Sequence, residues 1–182
     1  VVIGSESTPA KEVITQYVVP LAAIGAIAAF IGYWLIGVSM FSLHLGGIRW
    51  GLYYGITVLI RDVLVVVIAG FVVDALAPSF GSAKDIDRSM QLVAYSYTPA
   101  LIGGFLAVIP MLSFLGSLFG LYGIYLWYLG LTPLKNTAKD KRAGYLVVSI
   151  LVLIVVYLII GWILGMIFMG IFGLNMLPVR GM

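Results

Sequence analysis

Arg61, Asp62 and Asp74 stand inside a long apolar run, and they are the charges in this sequence best placed to do chemistry at membrane depth. An ionisable group there is expensive and by default signals a function or a fixed partner. Adjacent helical residues point about 100° apart, so Arg61 and Asp62 are not expected to pair well with each other and need partners elsewhere. Counting at ~1.5 Å per residue from the more basic ends of the spans puts Arg61 about 25 Å deep, level with Tyr33, Ser117, Gly161 and Trp162. Asp74, about 6 Å deep on the same count, is level with the start of the third span and is expected to accept from Tyr95 or Tyr97. With Ser96 these make an expected intramembrane polar network of Arg61, Asp62, Asp74, Tyr95, Ser96 and Tyr97. Such a set either compensates charge within a bundle or lines a pathway for a substrate or ion. The structural network is the favoured alternative.

Other chemistries lack their residues. There is no cysteine, which removes disulfides, thiolate metal sites and cysteine nucleophiles. The single histidine, His44, lies among Leu and Gly, so neither a histidine metal cluster nor a Ser-His pair is supported. No phosphate-cradling glycine loop and no basic-aromatic surface for nucleic acid is present. No enzyme activity, cofactor or metal is expected, and no nucleic acid.

Five apolar blocks must position the charged set. Hydrophobic residues make up 63% of the 182 residues and charged ones 9%, and the mean hydropathy is +1.17. That is the composition of a chain whose solvent is a bilayer, and a core about 30 Å thick needs roughly 20 apolar residues per helix. The blocks fall at about 17–40, 50–76, 90–110, 113–131 and 145–172. Backbone groups in hydrocarbon must be satisfied internally, and blocks this long predict helices rather than barrel strands. The expected fold is an all-α integral membrane bundle of five transmembrane helices. It divides into an N-terminal segment, 1–16, the five-helix domain, 17–176, and a tail, 177–182. The first block is too long for a cleavable signal peptide and follows Lys11 and Glu12.

Basic residues orient the bundle. Lys11, Lys84, Arg88, Lys135, Lys139, Lys141 and Arg142 share one side, against Arg49 and Arg180 on the other. Positive segments are retained in the cytoplasm, which predicts a cytoplasmic N-terminus and an outer or lumenal C-terminus in the cell membrane. Lys135, Lys139, Lys141 and Arg142 are also candidates for anionic lipid head groups, although a plain topology signal on a solvated loop is favoured.

The third and fourth blocks carry a pattern of their own, QLVAYSYTPALIGGFLAVIP at 91–110 and GSLFGLYGIYLWYLG at 116–130. Pro99 cannot donate to the carbonyl of Tyr95, which predicts a kink there beside the hydroxyls of Ser96, Tyr97 and Thr98. Gly116 and Gly120, like Gly161 and Gly165, stand four apart, a spacing that lets helices approach within the bundle. The ordered set Tyr95, Ser96, Pro99, Ile109, Pro110, Gly120, Tyr122, Gly123 and Tyr125 resembles the Ypt-interacting protein family, the Yip domain. The resemblance covers about 80–161 and implies five spans with a cytoplasmic N-terminus. Eukaryotic members carry a long N-terminal region with an acidic-aromatic segment and are associated with small GTPases and vesicle traffic. That segment is absent from VVIGSESTPAKEVITQ, so small-GTPase binding is not carried over, and the chain is more similar to the compact prokaryotic members.

Two functions follow as expectations. The favoured one is a non-enzymatic scaffold or accessory protein that binds other membrane proteins or lipids, alone or as a subunit of a larger membrane complex. The alternative is a small transporter or channel-like subunit built on Arg61, Asp62, Asp74 and a kinked third helix, since discontinuous helices often line substrate sites.

Overall fold

A computed structural model of the chain describes residues 8–40 and 43–172. It contains five helices long and apolar enough to cross a membrane. They are α1 (Ala10–Ile36), α2 (Ile48–Leu76), α3 (Ile86–Gly103), α4 (Ser113–Lys135) and α5 (Arg142–Phe172). Short 3-10 turns prolong α2 through Ala77–Phe80 and α3 through Gly104–Val108. The all-α five-helix bundle expected from the apolar blocks is the fold found. The expected tail, 177–182, and Arg180 lie outside the described residues.

Helix α1 starts at Ala10, well before the expected boundary, because the Ala10 amide donates to Asp87 at the start of α3, at 2.7 Å. Pro20 therefore falls inside the helix rather than in its opening turn. The turn before it, Val13–Val18, is π-helical, with Val19 donating to the carbonyl of Ile14. Widening the ladder there accommodates a proline that has no N–H to give. A second π-helical turn, Gly32–Ile36, ends at Gly37 with φ 66°. Beyond it, β1 (Val38–Met40) and β2 (Leu43–Leu45) pair antiparallel with Val38 opposite Leu45. No strand was expected in this connection. Pairing satisfies the backbone groups that the two strands turn toward each other.

Helix α2 is the hub, packing on α1, α3 and α5, while α4 lies mainly against α3. Close approach decides the α3–α4 hairpin. A Cβ added at Gly103 would stand 2.7 Å from the Gly116 carbonyl oxygen, and one at Gly123 2.5 Å from that of Ser96. Gly120 and Gly161 depart from the expected packing role, for a Cβ at either would meet nothing within 4 Å.

Pro99 does not break α3. Helix runs through it to Gly103 and tightens to 3-10 geometry only at Gly104. The Thr98 hydroxyl bonds the Ala94 carbonyl at 3.0 Å and the Tyr17 hydroxyl at 2.7 Å, tying this turn to α1. The change to 3-10 geometry falls at the Gly103–Gly104 pair, where backbones of α1 and α4 press on the chain.

Packing is uneven along the bundle. The main buried cluster gathers Val18, Val66, Val73, Met90, Leu131 and Tyr145, all toward the end that holds the N-terminus and the basic connections. A smaller one, Val65, Ile160 and Leu164, lies beside α5. Tyr97 packs against both.

Candidate functional site: two ion pairs in one bundle

At the basic end, Lys135 closes a polar knot. It is the last residue of α4, which stops as Asn136 enters the left-handed region at φ 52°. Helical side chains point back toward their own N-terminus, so the Lys135 stem runs into the bundle rather than out to a loop. Its ammonium donates to the Asp74 Oδ1 at 3.2 Å, the Ser89 Oγ at 2.6 Å and the Asp85 carbonyl at 3.1 Å. Three donors meet three acceptors, and the side chain is 0% exposed. Asp74 also receives the Asp85 amide at 2.8 Å. Beside the knot, the Tyr145 hydroxyl donates to the Val73 carbonyl, and Ser82 and Thr137 share a hydrogen bond of 2.8 Å.

Two expectations are corrected here. Lys135 is not available to lipid head groups; Lys139 and Lys141 are exposed, and Arg142 is half-buried with its guanidinium 5.7 Å from the Tyr128 ring centroid. Asp74 does not pair with Tyr95 or Tyr97. Because α3 begins at Ile86, the residues level with Asp74 are Asp85 and Ser89, about two turns before Tyr97. Lys135 was legible only indirectly, as the countercharge that a lone buried aspartate demands.

Arg61 and Asp62 behave differently. They pair directly, Nε to Oδ1 at 3.1 Å, contrary to the expectation from their directions on the helix. The angle separates the Cβ atoms, but the three-methylene arginine stem is long enough to fold its Nε back to the neighbouring carboxylate. The contact is single, and the side chains keep 28% and 12% exposure. The guanidinium lies 5.3 Å from the Tyr157 ring centroid, a cation–π arrangement. Its two terminal amino groups make no hydrogen bond among the described residues, nor does the second oxygen of Asp62.

Both side chains border a cavity of about 570 Å³ between α1, α2, α3, α4 and α5, whose wall includes Tyr33, Tyr54, Tyr97, Tyr157 and Ser117. The stacked rings of Tyr33 and Tyr54, 3.6 Å between centroids, form one side. A second chamber of about 240 Å³ is apolar and bounded by Val65, Val93, Gly123, Trp127, Leu153 and Leu158. The two share Tyr97, Ala100, Gly120 and Tyr157 as common wall. A chamber of this size with two charged side chains on its wall and an apolar annex is the form of a ligand site.

The remaining expected residues frame these chambers. Tyr97 walls both, Ser96 is buried with its carbonyl against Gly123, and Tyr95 sets its ring edge against Tyr17 at 5.2 Å. Pro110 is buried and opens the turn into α4, whereas Tyr122 and Tyr125 face outward with rings 6.1 Å apart. Among the described residues no group of His, Asp and Glu is arranged to hold a metal.

A family model described as the Yip1 domain matches residues 5–163. Among curated proteins the chain is similar to the inner membrane protein YohC of Escherichia coli strain K12, 27% identical over 161 residues, which cover 84% of this chain and 83% of that protein. The YohC of strain O6:H1 matches with the same identity and coverage. No solved structure matches.

Proposed function

The chain belongs to the Yip1 domain family and is a multi-pass protein of the cell membrane, and from that premise we propose that it is a non-enzymatic accessory protein whose bundle binds lipid, holding one amphiphilic molecule in its intramembrane cavity. The observation that carries this is the pair of chambers, one polar and edged by Arg61 and Asp62, the other apolar, with four residues in common. A guanidinium with unused donors at membrane depth costs free energy unless a ligand or water meets it, and an adjoining apolar chamber suits a hydrocarbon chain.

Lipid analysis of the purified protein tests it. After extensive detergent exchange the wild type retains about one lipid per chain, and Gly120→Leu, which pushes a side chain into the common wall, loses it. Absence of retained lipid from the wild type, or equal retention by the variant, overturns the proposal.

The cavity at Asp62 also favours a second reading, a transport pathway. Against it stands the closed basic end, where Lys135, Tyr145 and Leu131 are fully buried. Substrate-dependent flux through the purified protein in liposomes is the result that would replace the first reading with the second.

A further inference from the structure

We propose that the polar chamber selects a zwitterionic phospholipid head carrying a primary ammonium, of the phosphatidylethanolamine type, with phosphate on Arg61 and ammonium on Asp62. This rests on the lipid-binding reading and adds the chemical class of the head. An anionic head alone would satisfy the guanidinium but would stand beside the Asp62 carboxylate, and like charges in a low-dielectric site repel strongly. A cation alone meets the reverse problem with Arg61. A head with both charges, a few bonds apart, matches the pair as it stands.

Each half of the match has its own donors and acceptors. The Arg61 Nε is committed to Asp62 at 3.1 Å, which turns the two terminal amino groups outward as a fork for phosphate oxygens. Asp62 uses Oδ1 for that contact and keeps Oδ2 for an N–H donor. A trimethylammonium head offers no N–H to that oxygen, so the carboxylate discriminates against choline by hydrogen bonding. Past the common wall of Tyr97, Ala100, Gly120 and Tyr157, an acyl chain enters the apolar chamber. Gly120 leaves room for it, since no atom lies within 4 Å of a Cβ placed there.

The test reconstitutes the wild-type protein in vesicles of equimolar phosphatidylethanolamine, phosphatidylglycerol and phosphatidylcholine, repurifies it and measures the retained lipids by mass spectrometry. Phosphatidylethanolamine should be enriched about tenfold over each of the others, the ratio expected for one charge-assisted contact. Asp62→Asn should lower the enrichment over phosphatidylcholine to near unity, and Arg61→Met should abolish retention. Free phosphoethanolamine should displace the lipid from the wild type where glycerol phosphate does not, a readout that needs no variant. Retention without head-group preference, a preference for phosphatidylglycerol or phosphatidylcholine, or displacement by both competitors alike would overturn this proposal while leaving lipid binding intact. A wild type that retains no lipid overturns both.

Discussion

The two ion pairs of this bundle differ in completeness more than in composition. Lys135 and Asp74 come from different helices, and the ammonium spends all of its donors on protein acceptors with no exposure. Arg61 and Asp62 come from one helix, touch through a single contact, and leave the rest of their hydrogen-bonding capacity on a cavity wall. The saturated ammonium of Lys135 joins α2, α3 and α4 and keeps no donor for a ligand, and every contact to Asp74 falls on its Oδ1. Arg61 reaches α5 through the face of the Tyr157 ring and leaves its terminal amino groups unmet among the described residues. Within one membrane protein, the two cations differ in how much of their donor capacity protein meets: all of it for Lys135, one N–H for Arg61.

The largest expected effect tests the saturated half. Lys135→Met leaves Asp74 buried without its countercharge, and removing one partner of such a pair typically costs about 3–5 kcal/mol. Melting in detergent should fall markedly, and by less for Arg61→Met, whose 28% exposed side chain makes a single hydrogen bond where Lys135 makes three. Equal losses from the two variants would erase the distinction. Next in size is Gly103→Ala, whose Cβ would meet the Gly116 carbonyl oxygen at 2.7 Å. Overpacking of this kind costs about 1–3 kcal/mol, visible as a lower melting temperature. Tyr145→Phe removes the hydroxyl that donates to the Val73 carbonyl beside the knot, and about 1 kcal/mol should go with it. Smallest is Gly120→Ala. A methyl group there enters open space, so stability should stay within about 0.5 kcal/mol, the range of substitutions that disturb no packed feature. A large loss would mean that the cavity wall is packed after all.

What the sequence discloses divides along the same line. The five spans are legible because hydrocarbon forces long apolar helices, and Arg61 and Asp62 are conspicuous because charge inside such a run has few explanations. Lys135 is hidden by its company. It sits among Lys139, Lys141 and Arg142, where the count of basic residues reads as a solvated loop, and only its place as the last helical residue turns it inward. The sequence did hold a signal in Asn136, a residue that tolerates the left-handed conformation that ends helices. Pro99 is carried inside α3 without ending it, since a missing amide need not break a helix when a neighbouring hydroxyl and close-packed glycines hold the turn. The chambers are illegible in one dimension, since their walls draw on all five helices.

The Lys135 knot also sets an order of assembly. Asp74 leaves the ribosome on α2 and Ser89 on α3, but the ammonium that completes them arrives only at the end of α4. Closure of the contact holds α2, α3 and α4 together at one end of the bundle. The last residue of the fourth helix thus completes a joint that the chain can make only once four of its helices exist.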